Sequence, residues 1–355
     1  MTDAPRPTRV LITRLSHIGD CVLTMPLLCA LRRALPDAHI TWAVESPSHQ
    51  LLEGHAALDA VIKIPKGWLK SVGKFRETRR QLRAQPFDLV FDPQSLTKSA
   101  ALGWVSGCGR RVGLARPQGR EFAPWLNNER VEPTEEHIVP RSLELLRVLG
   151  VKRPEVEFNV PIHETAVEAM QQFLLRQRLR GGFAAINPSA SWPSKRWELD
   201  RFAQVATHLR TAHGLRTVVV WAGEEERAMA QSIVDQSGGA ALLAPSTSLK
   251  ELAALSMMSR LFVSSDSGPL HLAAGVGAPV VGLYGVTRPA ACGAYGAKAR
   301  NLQAIYQDGT ARQRRGADNS AMRAISVDMV REACDESLAV RHDNASATIP
   351  QKTAA

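Results

Sequence analysis

Residues 261–285, LFVSSDSGPLHLAAGVGAPVVGLYG, constrain the fold more than any other stretch of the chain. Leu261, Phe262 and Val263 make a short apolar run of the kind that forms buried strands. Ser264, Ser265, Asp266, Ser267 and Gly268 supply turn and capping residues, and Pro269 falls where the first helical position should be. Leu270 to Gly275 then predicts a short helix ended by glycine, and Ala278 to Tyr284 a second apolar strand. A helix start leaves backbone N–H groups unpaired, and its dipole favours negative charge, so this one is suited to hold a phosphate. Asp266 and His271 flank it, an acceptor for a hydroxyl and a donor for an anion. The same residues also describe an ordinary capped βαβ crossover, and this stretch alone leaves both readings open.

The chain before it repeats the pattern. RVLITR (9–14) predicts a strand after a disordered, proline-containing start, and LSHIGD (15–20) the loop that follows. A long apolar helix is expected from Cys21 to Leu35, with Pro26 in its first turn and Pro36 after its end. Asp20 then sits at the carboxyl edge of the first strand, where open α/β sheets place ligands; as a residue type it also suits the N-cap of that helix. Further strands are expected at 40–44, 60–64 and 88–92, with a helix within 71–83. Such alternation argues for a parallel sheet covered on both faces. Between the third and fourth strands Lys63, Lys66, Lys70, Lys74, Arg76, Arg79, Arg80 and Arg83 accumulate around Trp68, Leu69 and Phe75. This stretch reads either as a solvated helix face or as a docking surface for an anionic acceptor or membrane.

The second half follows the same logic. A strand at 182–186 runs into NPSASWPSKRW (187–197), a loop rich in hydroxyls and cations. Strands at 215–221 and 242–249 follow, with an acidic helix start at Glu224, Glu225 and Glu226 between them. The 355 residues therefore divide into two α/β domains: 1–160, 161–324, a helix at 325–340 and a disordered polar tail at 341–355. Forty-four Lys and Arg against thirty-four Asp and Glu give a net charge of +10, which favours an anionic partner. Aromatic residues are only 5%, so stacking platforms for nucleic acid are not expected. Cys21, Cys29, Cys108, Cys292 and Cys334 show neither zinc spacing nor a disulfide framework, which suits a reducing cytosol. The N-terminus has no signal-peptide core, and no apolar run approaches membrane-spanning length. The expectation is a soluble, monomeric, cytoplasmic protein without cofactor or metal, its basic surface suited to peripheral contact with a membrane.

Four separated motifs fall at carboxyl ends of predicted strands: 9–36, 186–206, 218–227 and 262–285. Together they resemble the heptosyltransferases, glycosyltransferase family nine. The resemblance implies a GT-B fold, two Rossmann-like domains facing across a cleft, with an acceptor-binding first domain, a nucleotide-sugar-binding second and a helix at 325–340 that crosses back to the first domain. It implies inverting transfer of a heptose, from ADP-heptose, to a lipopolysaccharide-core or similar glycan. By that likeness Asp20 is the catalytic base. Ser189, Ser191, Lys195, Glu224, Thr247, Asp266, Ser267, Gly268 and His271 hold the donor, and Lys70, Lys74 and Arg76 are expected to meet the acceptor. The sequence contains no Asp-x-Asp, so Lys195 and the helix start at 268–271 would have to stabilise the leaving diphosphate without metal. Val286-Thr287-Arg288-Pro289 stands where the family often has Pro-Thr-Asp-Pro, a departure that bears on donor specificity. An epimerase of the same fold, or a sugar-nucleotide-binding protein without catalysis, are the other readings; an acid at position 20 speaks against the last.

Overall fold

The computed structural model describes residues 8–179 and 181–345. They form two units, one running to His163 and taking in Ala290–Cys292, the other running from Glu164 to Pro289 and resuming at Gly293. In the first unit the strands are β1 (Arg9–Thr13), β2 (His39–Glu45), β3 (Ala60–Ile64), β4 (Leu89–Asp92), β5 (Arg111–Leu114) and β6 (Glu129–Val131). They make one parallel sheet in the order β3-β2-β1-β4-β5-β6, with Val10 opposite Ile40 on one side and Leu89 on the other. Val10 to Thr13 are buried throughout, as a central strand covered on both faces must be. Leu11, Ala43, Val90 and Leu102 share one core with Trp68 and Leu82.

The second unit uses β7 (Phe183–Asn187), β8 (Arg216–Val219), β9 (Ala241–Leu243), β10 (Leu261–Ser265), β11 (Val280–Leu283) and β12 (Ala299–Leu302). Their order, β12-β11-β10-β7-β8-β9, is the same topology. The strand order therefore reverses between β1 and β4 in one unit and between β7 and β10 in the other, with the strands parallel throughout. A doubly wound sheet opens a crevice for ligands at that point, beyond the carboxyl ends of the strands.

Four expectations need correction. The helix expected from Cys21 to Leu35 is two helices, Ile18–Val22 and Met25–Ala34, because Pro26 has no N–H and its ring excludes the carbonyl four residues back. Asp20 is accordingly the third residue of a short helix and not a cap. The strand expected at 242–249 ends at Leu243; Ser248 caps a helix instead, its Oγ accepting from the Glu251 N–H and Glu251 accepting from the Ser248 N–H. Trp68 is 2% exposed and stacks on Phe75, so it belongs to the core and not to a docking surface.

The last correction concerns the C-terminal helix, expected to return to the first domain. Helix Val327–Ala345 instead puts Val330, Ala333, Cys334 and Leu338 into the second unit's core. Their spacing forms a single apolar face, and the second sheet with helix Leu199–His213 covers it. The helix takes in 341–345 of the expected disordered tail; the rest of that tail, and residues 1–7 of the expected disordered start, lie outside the described residues.

Candidate active site

In the first unit, the chain leaving β1 places Arg14 almost fully buried, 6% exposed, beside Asp20, which is 36% exposed; Arg14 Nη2 meets Asp20 Oδ1 at 2.9 Å. The backbone N–H of His17 donates to the other carboxylate oxygen at 3.1 Å. Burial alone would push the Asp20 carboxyl up, but the Arg14 charge and the hydrogen bonding of His17 outweigh it and hold it well below the usual carboxylate range. Asp20 is thus an ionised, oriented and reachable acceptor. It opens onto a cavity of about 470 Å³, a size suited to a sugar. The cations lining it are Arg14, Lys98, Arg120 and Arg141, with Asp20 the one carboxylate among the lining residues. Lys98 Nζ donates to Ser16 Oγ at 2.9 Å, which holds it at the loop of Asp20. Burial and the neighbouring Arg14 charge push Arg141 below its ordinary value. A cation so placed gains from an anion entering the cavity.

The expected acceptor residues Lys70, Lys74 and Arg76 are exposed and are not among the residues lining this cavity. Lys74 Nζ is turned to the Lys66 carbonyl at 3.0 Å. The sequence reading missed Arg14, Lys98, Arg120 and Arg141, which come from four separated segments. Arg14, at the carboxyl end of a predicted strand and six residues before Asp20, carried the one local signal.

In the second unit the strand ends of β7 and β10 are joined by Asn187. Its amide nitrogen shares two N–H groups among three acceptors, Ser189 O at 2.8 Å, Ser264 Oγ at 3.0 Å and Ser267 Oγ at 3.1 Å. Ser267 caps helix Gly268–Gly275, and the free N–H groups of that first turn lie just past β10. Asp266, 7% exposed, accepts from Lys195 Nζ at 2.6 Å and Thr287 Oγ1 at 2.7 Å, and its second oxygen meets His271 Nε2 at 3.2 Å. Burial would raise Asp266, but His271 and Lys195 hold it well below its ordinary range. A carboxylate has about four lone-pair sites, so three partners leave room for one more donor, such as a ligand hydroxyl. Lys195 also lies 4.5 Å from the Trp192 ring centre, and Arg315 5.1 Å from it on another approach.

The structure thus brings Lys195, Asp266, Ser267, Gly268 and His271 together, and joins Ser189 to them through Asn187. Ser189 Oγ donates to Glu226 Oε1 at 2.7 Å, and Glu226 Oε2 accepts from the Ala222 N–H at 2.9 Å. Of the three acids opening helix Gly223–Gln236, two are tied to the donor loop: Glu226 through Ser189, and Glu225 through Arg196 Nη1 at 2.8 Å. Glu224 is 88% exposed in the first turn, where it also meets Arg227 at 3.9 Å. Ser191 is exposed, and Thr247 is half-buried in the loop after β9. Asn187, Thr287 and Glu226 were missed because their roles depend on which strand ends are neighbours.

Similarity to known proteins agrees with this arrangement. Glycosyltransferase family 9 (heptosyltransferase) matches residues 75–320. Lipopolysaccharide heptosyltransferase 1 of Salmonella typhimurium is 29% identical over 298 residues, 81% of this chain and 92% of that protein. The crystal structure of a family 9 glycosyl transferase from Veillonella parvula superposes with a TM-score of 0.78 at 25% identity, covering 94% of this chain and 97% of that one. E. coli heptosyltransferase WaaC, solved with ADP-2-deoxy-2-fluoro heptose, gives a TM-score of 0.73 at 26% identity over 93% of this chain and 99% of that one. The two Rossmann-like units have the make-up of the GT-B fold, and the chain belongs to glycosyltransferase family 9, the heptosyltransferases.

Proposed function

We propose that this glycosyltransferase moves a heptose from ADP-heptose to an anionic sugar of a lipopolysaccharide core, with inversion at the anomeric carbon. The observation that carries the reading is the first unit's cavity, in which one ionised carboxylate stands among four cations. Arg14, Lys98, Arg120 and Arg141 hold the acceptor's acidic groups, and Asp20 faces the hydroxyl that reacts. That oxygen attacks the anomeric carbon, the bond to the ADP β-phosphate oxygen breaks, and its electron pair leaves with the diphosphate. The hydroxyl proton passes to Asp20. A carboxylate held so acidic by Arg14 is a weak base, so the proton moves late, once bonding to the electrophilic carbon has acidified the hydroxyl.

The donor side belongs to the second unit. Lys195 and the first turn of helix Gly268–Gly275 offer positive potential to the diphosphate, and no metal is required in this scheme. Asp266, ordered by Lys195, Thr287 and His271, takes a donor hydroxyl; His271 steadies it, and Ser267 and Gly268 let the phosphates approach. Ser189 and Ser191 belong to the same donor loop, and the reading keeps Glu224 for the ribose and the Thr247 backbone for the base. Among the described residues no helix is long and apolar enough to cross a membrane. The reading has the enzyme working as a monomer in the cytoplasm, at the inner face of the membrane that carries its acceptor.

The test is ADP release from ADP-heptose with a heptose-free lipopolysaccharide core, in excess chelator. Release that depends on this acceptor, and persists in chelator, is expected. Turnover of the sugar nucleotide without acceptor would favour an epimerase, and loss of donor binding in chelator would remove the metal-free scheme.

A further inference from the structure

Away from the donor loops, helix Leu199–His213 ends against helix Val327–Ala345. There His208 Nε2 and His213 Nε2 both converge on Asp335 Oδ1, at 2.7 Å and 2.6 Å. One ligand atom from each of the three residues lies within 4.8 Å of the others, and the two imidazole rings are edge-on, with centroids 5.8 Å apart. The three side chains are partly exposed, Asp335 at 47% the most, which leaves a path for an ion and its waters.

We propose that His208, His213 and Asp335 form a binding site for a divalent transition ion of the zinc class, clamping the C-terminal helix to the second unit. Two imidazole nitrogens and one carboxylate oxygen are ligands that suit zinc, nickel or copper and not magnesium or calcium, which prefer all-oxygen sets. An ion drawn between the three atoms replaces two hydrogen bonds to one oxygen with three coordination bonds, and water completes the shell. The carbonyl end of helix Leu199–His213 adds negative potential there. Fifteen residues of helix separate this point from the residues after Lys195 by ~22 Å, and β8 begins just beyond it at Arg216. The site therefore lies at the opposite strand edge from the candidate donor site, and its role is to fasten Val327–Ala345 and not to take part in transfer.

The experiment uses the full chain without a histidine tag, stripped by chelator and titrated with zinc chloride, with magnesium chloride as control. One equivalent of zinc should bind and raise Tm by about 5 °C at a hundredfold excess over Kd, with no effect of magnesium. His213→Gln and Asp335→Asn should each weaken zinc binding by about 100-fold or more while leaving the circular dichroism spectrum and transferase turnover unchanged. In the unaltered protein, zinc should protect His208 and His213, and not His49 or His163, from diethyl pyrocarbonate. Absence of stoichiometric binding would overturn the proposal and leave a plain ion-paired triad. So would binding that survives in the His208→Gln, His213→Gln double variant, or protection that maps to other histidines.

Discussion

The two units share one sheet order but treat an acidic residue at the same strand end in opposite ways. The fourth strand of the first unit ends on Asp92, and that of the second, β10, is followed at once by Asp266. Both are buried, at 0% and 7% exposure. Among the described residues Asp92 has neutral hydrogen-bond partners: the Ser95 N–H at 2.9 Å, the Asn127 amide at 2.9 Å and the Ser99 side chain. Burial prevails, and its carboxyl is pushed up to about 6. Asn127 Oδ1 is buried with no partner, and a protonated Asp92 could supply one. Asp266 is buried nearly as deeply but meets Lys195 and His271, and it stays ionised. Burial alone does not decide what a carboxyl at a strand end can do; its cation does.

Asp20 completes the contrast. It follows the first strand of its unit, as the Ser189–Lys195 loop follows β7, and it combines a buried cation with an open side. It is the charged carboxylate a substrate can reach, whereas Asp266 is already mostly satisfied and Asp92 is sealed in.

The largest test of this division is Asp20→Asn. The amide keeps size and can still accept from the His17 N–H but leaves the buried Arg14 charge without its carboxylate, so Tm should fall by a few degrees while the fold persists, and kcat should fall by ~10² to 10⁴. Donor affinity measured by calorimetry should remain near wild type. Full turnover in a folded variant would reduce Asp20 to a helix-start residue and send the search for a base elsewhere.

Lys195→Ala comes next. It removes the cation nearest Asp266, leaving Thr287 and His271 as donors. Unfolding free energy should drop by roughly 3 kcal/mol, the lower range for breaking a buried pair. Binding of ADP should weaken in the same variant, with acceptor binding intact. A stable variant with unaltered ADP affinity would show that the pair neither holds the loop nor meets the diphosphate.

The Asp92 comparison can be sharpened by pH. A carboxyl raised in the folded state contributes stability that is fully present below its unfolded value and is lost as pH rises through about 6. The gap between the ordinary 3.8 and about 6 corresponds to at most ~3 kcal/mol. Asp92→Asn should therefore gain stability relative to wild type by up to that amount between pH 4 and 6, where the new amide can use Asn127 Oδ1 after an amide flip. Asp266 has the opposite sign: its contribution is present above the ordinary carboxylate value and is lost as pH falls below it. Denaturant melts at stepped pH distinguish the two, and a wild type and Asp92→Asn pair that run parallel from pH 4 to 6 would refute the assignment.

The smallest effect is expected outside either site. Reversing Lys70, Lys74 and Arg76 to Glu should raise the apparent KM for a membrane-borne acceptor a few-fold at low salt. The change should fade at about 0.5 M salt, where exposed charges are screened within a few ångströms. A soluble core oligosaccharide should show little change at any salt. If membrane-borne and soluble acceptors respond alike, the stretch is not a membrane-facing surface.

What the sequence determined by itself was local. The apolar run, cap and proline of 261–275 specify a strand and a helix start wherever they are placed, and helix Gly268–Gly275 begins within two residues of expectation. Asp20 and Lys195 became candidates through the family resemblance, at positions soon after predicted strands; by residue type alone Asp20 read as a helix cap. Periodicity did not show the break before Met25, although Pro26 carried it, nor the short strands β5, β6 and β12, whose few residues hold no repeat long enough to read. Only the tertiary structure decided which strand ends became neighbours. That choice put Asn187 between two loops, made Lys195 the partner of Asp266, selected Glu226 over Glu224, and gathered Arg14, Lys98, Arg120 and Arg141 around one carboxylate. It also decided where the C-terminal helix packs, because an apolar face states that it must be covered and says nothing about which sheet covers it.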